Sequence, residues 1–235
     1  HDYMEYVADT LALRKDIVLN SRVVSAQFDE ADCKWDVLTA DGQRYRARYF
    51  ITATGSLSIA QVPKFEGRDT FNGRTFHTGE WPADGVDFTG RKVGIIGTGS
   101  SGIQLIPILA QQAGHLTVFQ RTPNFSFPAL NRPLEQGEIE SVRENFDALH
   151  QVALANGAGS HRPVGTKSIL EVPIEEAHRQ LEESWNGRGP RMMSCFTDSL
   201  TNPEANEIIA EFVRGKIRQI VKDPVVAEKL IPHGY

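Results

Sequence analysis

Hydrophobic and polar positions change their period twice along the chain. Residues 2–13 carry Tyr3, Tyr6, Val7 and Thr10 at helical spacing, which predicts an opening helix. From Val23 the period shortens. Apolar runs over residues 23–28 and 35–39, with an acidic turn between them, predict two strands. Asp41-Gly42 marks a second hairpin, leading into a strand over 45–51. This is a β-meander that closes on "ITATG", where Thr54-Gly55 ends the strand. From Arg91 the pattern becomes strand, glycine turn, helix, strand, in "KVGIIG", "TGSSGIQLIPILAQQAG" and "HLTVFQRT". That βαβ unit implies a parallel sheet with helices on its faces. Beyond Pro133 three helical zones are predicted, at 135–154, 173–185 and 203–230. The last is interrupted at Asp223-Pro224, an N-cap followed by proline at the first helical position. The stretch "ANGAGSHRPVGTKS" between the first two reads as loop.

Composition narrows the class. The chain has 235 residues, 40% hydrophobic and 23% charged, with net charge −5, which suits one substantial core or two modest ones. No long Lys/Arg run is present, which argues against nucleic acid as partner. Apolar stretches around Ile95 and Leu105 are too short to cross a bilayer. The opening "HDYMEYVADTLALRK" lacks the basic start and apolar block of a signal peptide, so a cytoplasmic protein is expected. Cys33 and Cys195 form neither a C-x-x-C nor a zinc-like spacing. They are expected to be reduced thiols, with no metal and no dithiol flavin chemistry.

Candidate chemistry centres on Gly97-x-Gly99-x-x-Gly102, which follows the apolar strand and opens a helix. In a dinucleotide site Gly97 makes the tight turn, Gly99 lets the backbone approach a pyrophosphate, and Gly102 lets helix pack on strand. Ser100 and Ser101 add hydroxyl donors where the helix dipole favours an anion. The following strand ends "VFQRT", placing Arg121 where an NAD site usually carries an acid. A guanidinium there suits a 2′-phosphate, so NADP(H) is favoured over NAD(H). An exposed arginine in a surface salt bridge remains the competing reading.

Upstream lies "FNGRTFHTGEWP". Read physically, Phe71, Phe76 and Trp81 are ordinary core aromatics and His77 a satisfied packing histidine. The pattern Phe71-x-Gly73-x-x-x-His77-x-x-x-Trp81-Pro82 nevertheless resembles the fingerprint of the Baeyer–Villiger monooxygenases. "VDFTGRKVGIIGTGSSGIQLIPILAQQAG", "LTVFQRTPNFSFPALNRPL" and "EFVRGKIRQIVKDPVVAEKLIPHGY" are similar to the same class, typified by phenylacetone, cyclohexanone and steroid monooxygenases.

The resemblance implies a flavoprotein that uses FAD, NADPH and O₂ to convert a small-molecule ketone into an ester or lactone. It implies an α/β fold: a Rossmann-type NADP-binding domain with a helical insertion, plus the β-meander portion of a second, FAD-binding dinucleotide domain. The corresponding expected boundaries are 1–55 for the FAD portion, 56–134 for the NADPH domain and 135–235 for the insertion. Thr98, Gly99, Ser100, Ser101, Gly102, Ile103 and Gln104 would hold the pyrophosphate, with Gly97 at the turn. Arg121 and Thr122 would take the 2′-phosphate, and Val23 would contact the FAD adenine. Ala53 to Gly55 matches the crossover between the two domains, and His77 and Trp81 would couple domain movement to cofactor placement. Two alternatives stand beside this: a general or N-hydroxylating flavin monooxygenase, against which Trp81-Pro82 argues, and a non-catalytic NADP-binding module. The family's FAD glycine fingerprint is not in these residues, and its catalytic arginine is expected beyond Tyr235. With His1 in place of an initiator Met, the chain is expected to be an internal piece, inactive alone and a poor holder of FAD.

Overall fold

In the computed structural model, which describes residues 2–157, 159–187 and 190–233, the meander and the βαβ unit fall in two units, His1–Ala83 and Asp84–Tyr235. The positions His1 and Tyr235, and Ala158 of the predicted loop, lie outside the described residues.

The first unit opens with α1 (Asp2–Thr10), shorter than the pattern predicts. Ala12 turns into the left-handed region at φ 51, and residues Leu13–Asp16 tighten into a 3₁₀ turn. Three antiparallel strands follow in the order β1 (Val23–Asp29), β2 (Lys34–Thr39), β3 (Arg44–Ala47). The register pairs Phe28 with Trp35 and Leu38 with Arg44. Gly42, at φ 86, makes the β2–β3 turn that few side chains tolerate. Arg46 on β3 reaches Asp29 on β1 at 2.6 Å and Asp32 at 2.7 Å, so opposite charges match across the sheet. β3 stops short of the predicted Ile51. Its last pair is Trp35 with Ala47, and β2 begins at Lys34, so residues 48–51 pass the end of the ladder. The Trp35 ring lies 5.4 Å from Phe28 and 5.5 Å from Phe50.

In the second unit β4 (Lys92–Ile96), α2 (Ser100–Gln112) and β5 (His115–Phe119) form the predicted crossover. The strands pair in parallel from Lys92 with His115 to Ile96 with Phe119. Pro107 sits inside α2 and lacks the amide that would bond the carbonyl of Ile103. The zone predicted over 135–154 is two helices, α3 (Gln136–Glu144) and α4 (Phe146–Ala155). Asn145 divides them: its backbone leaves helical angles at φ −109 and ψ 16, and its side chain donates to the Ser141 carbonyl. Three helices complete the unit: α5 (Ile174–Trp185), α6 (Pro203–Ile220) and α7 (Pro224–Leu230). Asn202 and Asp223 cap α6 and α7, each with proline at the first helical position, so the predicted break at Asp223-Pro224 stands.

The main core lies among these helices. Ile169, Leu181, Met192, Phe196, Ala205 and Ile209 pack together there, with Trp185 and Phe212 against them. Arg214 on α6 is also buried. It donates to the Pro232 carbonyl at 2.9 Å and to Glu207 at 2.5 Å, so its charge is met inside the protein. The βαβ unit differs: Ile96 is 67% and Phe119 57% exposed, so its sheet faces carry apolar surface that two strands leave open. No helix among the described residues is long and apolar enough to cross a membrane.

The two thiols occupy opposite environments. Cys33 is exposed, whereas Cys195 is buried, accepts from Ser184 Oγ at 3.2 Å, and has its thiol pKa pushed up by burial. A chromogenic disulfide reagent should therefore release about one equivalent of thiolate quickly, from Cys33, and the second only as denaturant opens the helical core. Two fast equivalents, or loss of the slow one in Cys33→Ser instead of Cys195→Ser, would contradict the assignment.

Candidate functional site

The site is built where β4 meets α2. Gly97 leaves the strand at φ 98, in the region that favours glycine, and its amide donates to the Phe119 carbonyl at 2.9 Å. That bond extends the parallel ladder one residue past β4. Gly99 is the N-cap of α2 and makes no side-chain cap. The first helical bond runs from Ile103 N to Gly99 O at 3.0 Å. The amides of Ser100, Ser101 and Gly102 are those that a helix start leaves without intrahelical acceptors. No acidic residue stands in that first turn, so nothing on the helix competes with an incoming anion.

Each glycine has its own surroundings. A Cβ on Gly102 would lie 2.5 Å from the Gly97 carbonyl oxygen, so the helix packs on the turn at a distance only glycine permits. A Cβ on Gly99 would meet nothing within 4 Å. Space is open there. Gln104 folds back, its amide donating to the Ser100 carbonyl at 2.8 Å.

Beyond β5 the chain passes the same end of the sheet. Arg121 and Thr122 are exposed, and among the described residues Arg121 makes no hydrogen bond or ion pair. No neighbouring carboxylate therefore engages it, as a surface salt bridge would require. Two residues that the sequence did not single out flank this segment. Gln120 Nε2 donates to the Lys229 carbonyl at 2.7 Å, and Asn124 Nδ2 donates to the Thr98 carbonyl at 3.3 Å. Nothing in the sequence marks either one, because the first contact joins positions far apart in the chain and the second depends on how the loop returns.

The first unit holds the other predicted residues. Val23, at the irregular start of β1, and residues 50–54 line one groove of about 420 Å³, so Val23, Ala53 and Thr54 come together. In the aromatic motif His77 caps a short 3₁₀ turn (Thr78–Glu80), its Nδ1 accepting from Gly79 N at 3.0 Å. That contact leaves the neutral ring's proton on Nε2. The rings of Trp81 and Phe76 lie 5.8 Å apart, with the Arg74 guanidinium 4.7 Å from the Phe76 centroid. A Cβ on Gly73 would lie 2.5 Å from the exposed Phe71 ring, which would have to shift to admit it.

Comparison with known proteins now adds to the geometry. The family described as flavin-binding monooxygenase-like matches residues 1–139. The chain is 40% identical over 232 residues to cyclohexanone 1,2-monooxygenase of an Acinetobacter species, covering 98% of this chain and 42% of that protein. It is 39% identical to phenazine N-monooxygenase PhzNO1 of Lysobacter antibioticus, covering 98% of this chain and 43% of that protein. Among solved structures it superposes on an oxidized steroid monooxygenase bound to NADP with a TM-score of 0.94 and 45% identity, over 100% of this chain and 45% of that one. The chain thus spans less than half the length of these relatives. Cyclohexanone and steroid monooxygenases are two of the enzymes whose class the sequence resembles, so that resemblance holds.

Two substitutions separate packing from ligand access. Gly102→Ala should lose about 1–3 kcal/mol of stability, since overpacking against backbone exceeds what alanine gains in a helix. Gly99→Ala should lose less, about 0.5–1 kcal/mol from the N-cap preference for glycine over alanine, because its Cβ enters open space. Urea unfolding of both variants decides this. Equal losses would mean that the approach of α2 to the Gly97 carbonyl is not the constraint.

Proposed function

The chain belongs to the flavin-binding monooxygenase-like family, and from that premise we propose that it carries the NADP(H) site of an FAD- and NADPH-dependent Baeyer–Villiger monooxygenase acting on a small-molecule ketone. The observation that carries the reading is the pairing of an uncapped helix start behind Gly97 and Gly99 with an unengaged Arg121 at the end of the neighbouring strand. The residues fit the group. Thr98, Gly99, Ser100, Ser101, Gly102, Ile103 and Gln104 are assigned to the pyrophosphate, with the open amides of Ser100, Ser101 and Gly102 and the hydroxyls of Thr98, Ser100 and Ser101 as its donors. Arg121 supplies a forked cation for the 2′-phosphate, and Thr122 adds a hydroxyl. In the first unit Val23 is assigned to the FAD adenine; it shares a groove with Ala53 and Thr54 of the crossover. When bound, FAD with NADPH supplies the reductive activation of O₂ that places one oxygen beside the ketone carbonyl. The share of the residues described here is to bind, orient and select the nucleotide.

The functional division follows the cofactors: 1–55 serves FAD, 56–134 serves NADPH, and 135–235 is a helical insertion. His77 and Trp81 are assigned to coupling domain movement with cofactor placement. The His77 contact with Gly79 supports this only by fixing the ring in one orientation. A cytoplasmic location suits the NADPH requirement and the two free thiols. N-oxidation is the second reading, supported by the likeness to a phenazine N-monooxygenase. Trp81-Pro82 favours the ketone reaction over it, and a non-catalytic NADP-binding module is the third reading.

Two measurements test this. Arg121→Ala should weaken NADPH by about 10- to 150-fold, the 1.5–3 kcal/mol scale of a hydrogen bond to a charged group, while NADH changes by less than about two-fold. Equal losses would make Arg121 structural. Because the chain spans under half of its relatives, the 235 residues alone should bind NADPH without ketone-dependent NADPH oxidation. The same residues within a protein of the relatives' length should show that oxidation. Oxidation that responds to aromatic amines and never to ketones would favour the second reading, and binding without turnover in the longer protein the third.

A further inference from the structure

The loop after β5 is held at both ends by side-chain amides that the nucleotide reading does not use. Phe119 closes the strand by accepting from Gly97 N at 2.9 Å. At the next residue Gln120 Nε2 donates to the Lys229 carbonyl, at the C-terminal end of α7, at 2.7 Å. Four residues later Asn124 Nδ2 donates to the Thr98 carbonyl, inside the glycine turn, at 3.3 Å. Arg121 and Thr122 lie between these anchors, and Pro123 restricts the backbone of Thr122 to extended conformations.

The far anchor is itself fixed. Arg218 on α6 binds Glu228 on α7 at 3.0 Å. Arg214, only 8% exposed, donates to Pro232 just past α7, and its guanidinium lies 5.9 Å from the Phe125 ring. The loop is thereby tied on one side to the pyrophosphate turn and on the other to helices seated on the main core.

We propose that Gln120 and Asn124 are positioning residues that set cofactor selectivity by fixing the backbone of Arg121 and Thr122 against the glycine turn and α7. The proposal rests on the NADP(H) reading above. An arginine on a free loop must be ordered as it binds, whereas on a loop fixed at both ends that cost is already met. The benefit falls on ligands that Arg121 touches, those with a phosphate on the adenosine 2′ position. A nucleotide without it uses only the helix start and gains little.

The test is a mutant cycle read by calorimetric titration of NADP⁺ and NAD⁺ into the protein. Gln120→Met and Asn124→Leu each remove one amide donor at similar size. Gln120→Asn keeps the amide but shortens its reach, and serves if the larger change disturbs folding. Each should weaken NADP⁺ by about five-fold and NAD⁺ by less than two-fold, the scale of coupling between neighbouring residues. In an Arg121→Ala background the same changes should weaken NADP⁺ by less than about two-fold, because the group they position is gone. Equal loss for both nucleotides, no loss for either, or undiminished loss in the Arg121→Ala background would overturn the proposal. In those cases the unsubstituted protein still prefers NADP⁺. A parent that holds NAD⁺ as tightly as NADP⁺ overturns the nucleotide reading itself, and this proposal with it.

Discussion

The approach of α2 to the turn that precedes it governs the βαβ unit. With hydrogen as its side chain, Gly102 comes close enough to the Gly97 carbonyl that a methyl group would sit at 2.5 Å from the oxygen. Packing at that distance aims the start of α2 at the C-terminal end of the parallel pair. The peptide dipoles and the open amides of the first turn then point at one place. A helix displaced by the width of a methyl group would keep its dipole but lose that aim. The positive φ of Gly97 belongs to the same constraint, since the chain must reverse between β4 and α2 without a side chain in the way.

Two kinds of force share the work around that site. The helices α5 and α6 hold themselves together by apolar burial, with Leu181 wholly buried and a cluster from Ile169 to Ile209 around it. The βαβ unit buries much less: Leu109 is its deepest helical residue, while Ile96 and Phe119 stay open. What fixes the loop after β5 is polar and sparse. One amide of Gln120, one of Asn124, and the Arg214 and Arg218 contacts of α6 set the segment that presents Arg121. Exposed hydrogen bonds of this kind contribute modestly to stability. On the proposed NADP(H) reading their value lies in geometry, because a phosphate held by a fork of donors is sensitive to where the fork stands.

The aromatic motif shows how local roles and family likeness coexist. His77 caps a turn, Gly73 lies against the Phe71 ring, and the Phe76 ring lies near the Arg74 guanidinium and the tilted Trp81 ring. Every one of these contacts lies within a dozen residues. Its meaning for cofactor handling rests chiefly on likeness to relatives, with the His77 contact to Gly79 fixing only the ring's orientation.

Much of the fold was legible in the letters, and particular residues say why. The meander followed from alternating apolar runs and from Asp41-Gly42, the βαβ unit from a short apolar strand before a glycine turn, and the break in the last helical zone from Asp223-Pro224. Each of these signals acts between residues close in sequence. The errors were also local, but turned on which partner was present. β3 ends at Ala47, where its pairing with β2 stops at Trp35, and the zone at 135–154 splits because the Asn145 backbone leaves helical angles at φ −109 and ψ 16. Of the site, the sequence by itself determined the glycine turn, the helix start and the identity of Arg121, since these depend on φ, on a missing Cβ and on charge. Only the tertiary structure decided that Arg121 is left unengaged among the described residues, and that Gln120 and Asn124 anchor its loop to Lys229 and Thr98. Those contacts join backbone carbonyls, whose positions are set by folding and whose chemistry is the same at every residue, so no choice of side chain could announce them.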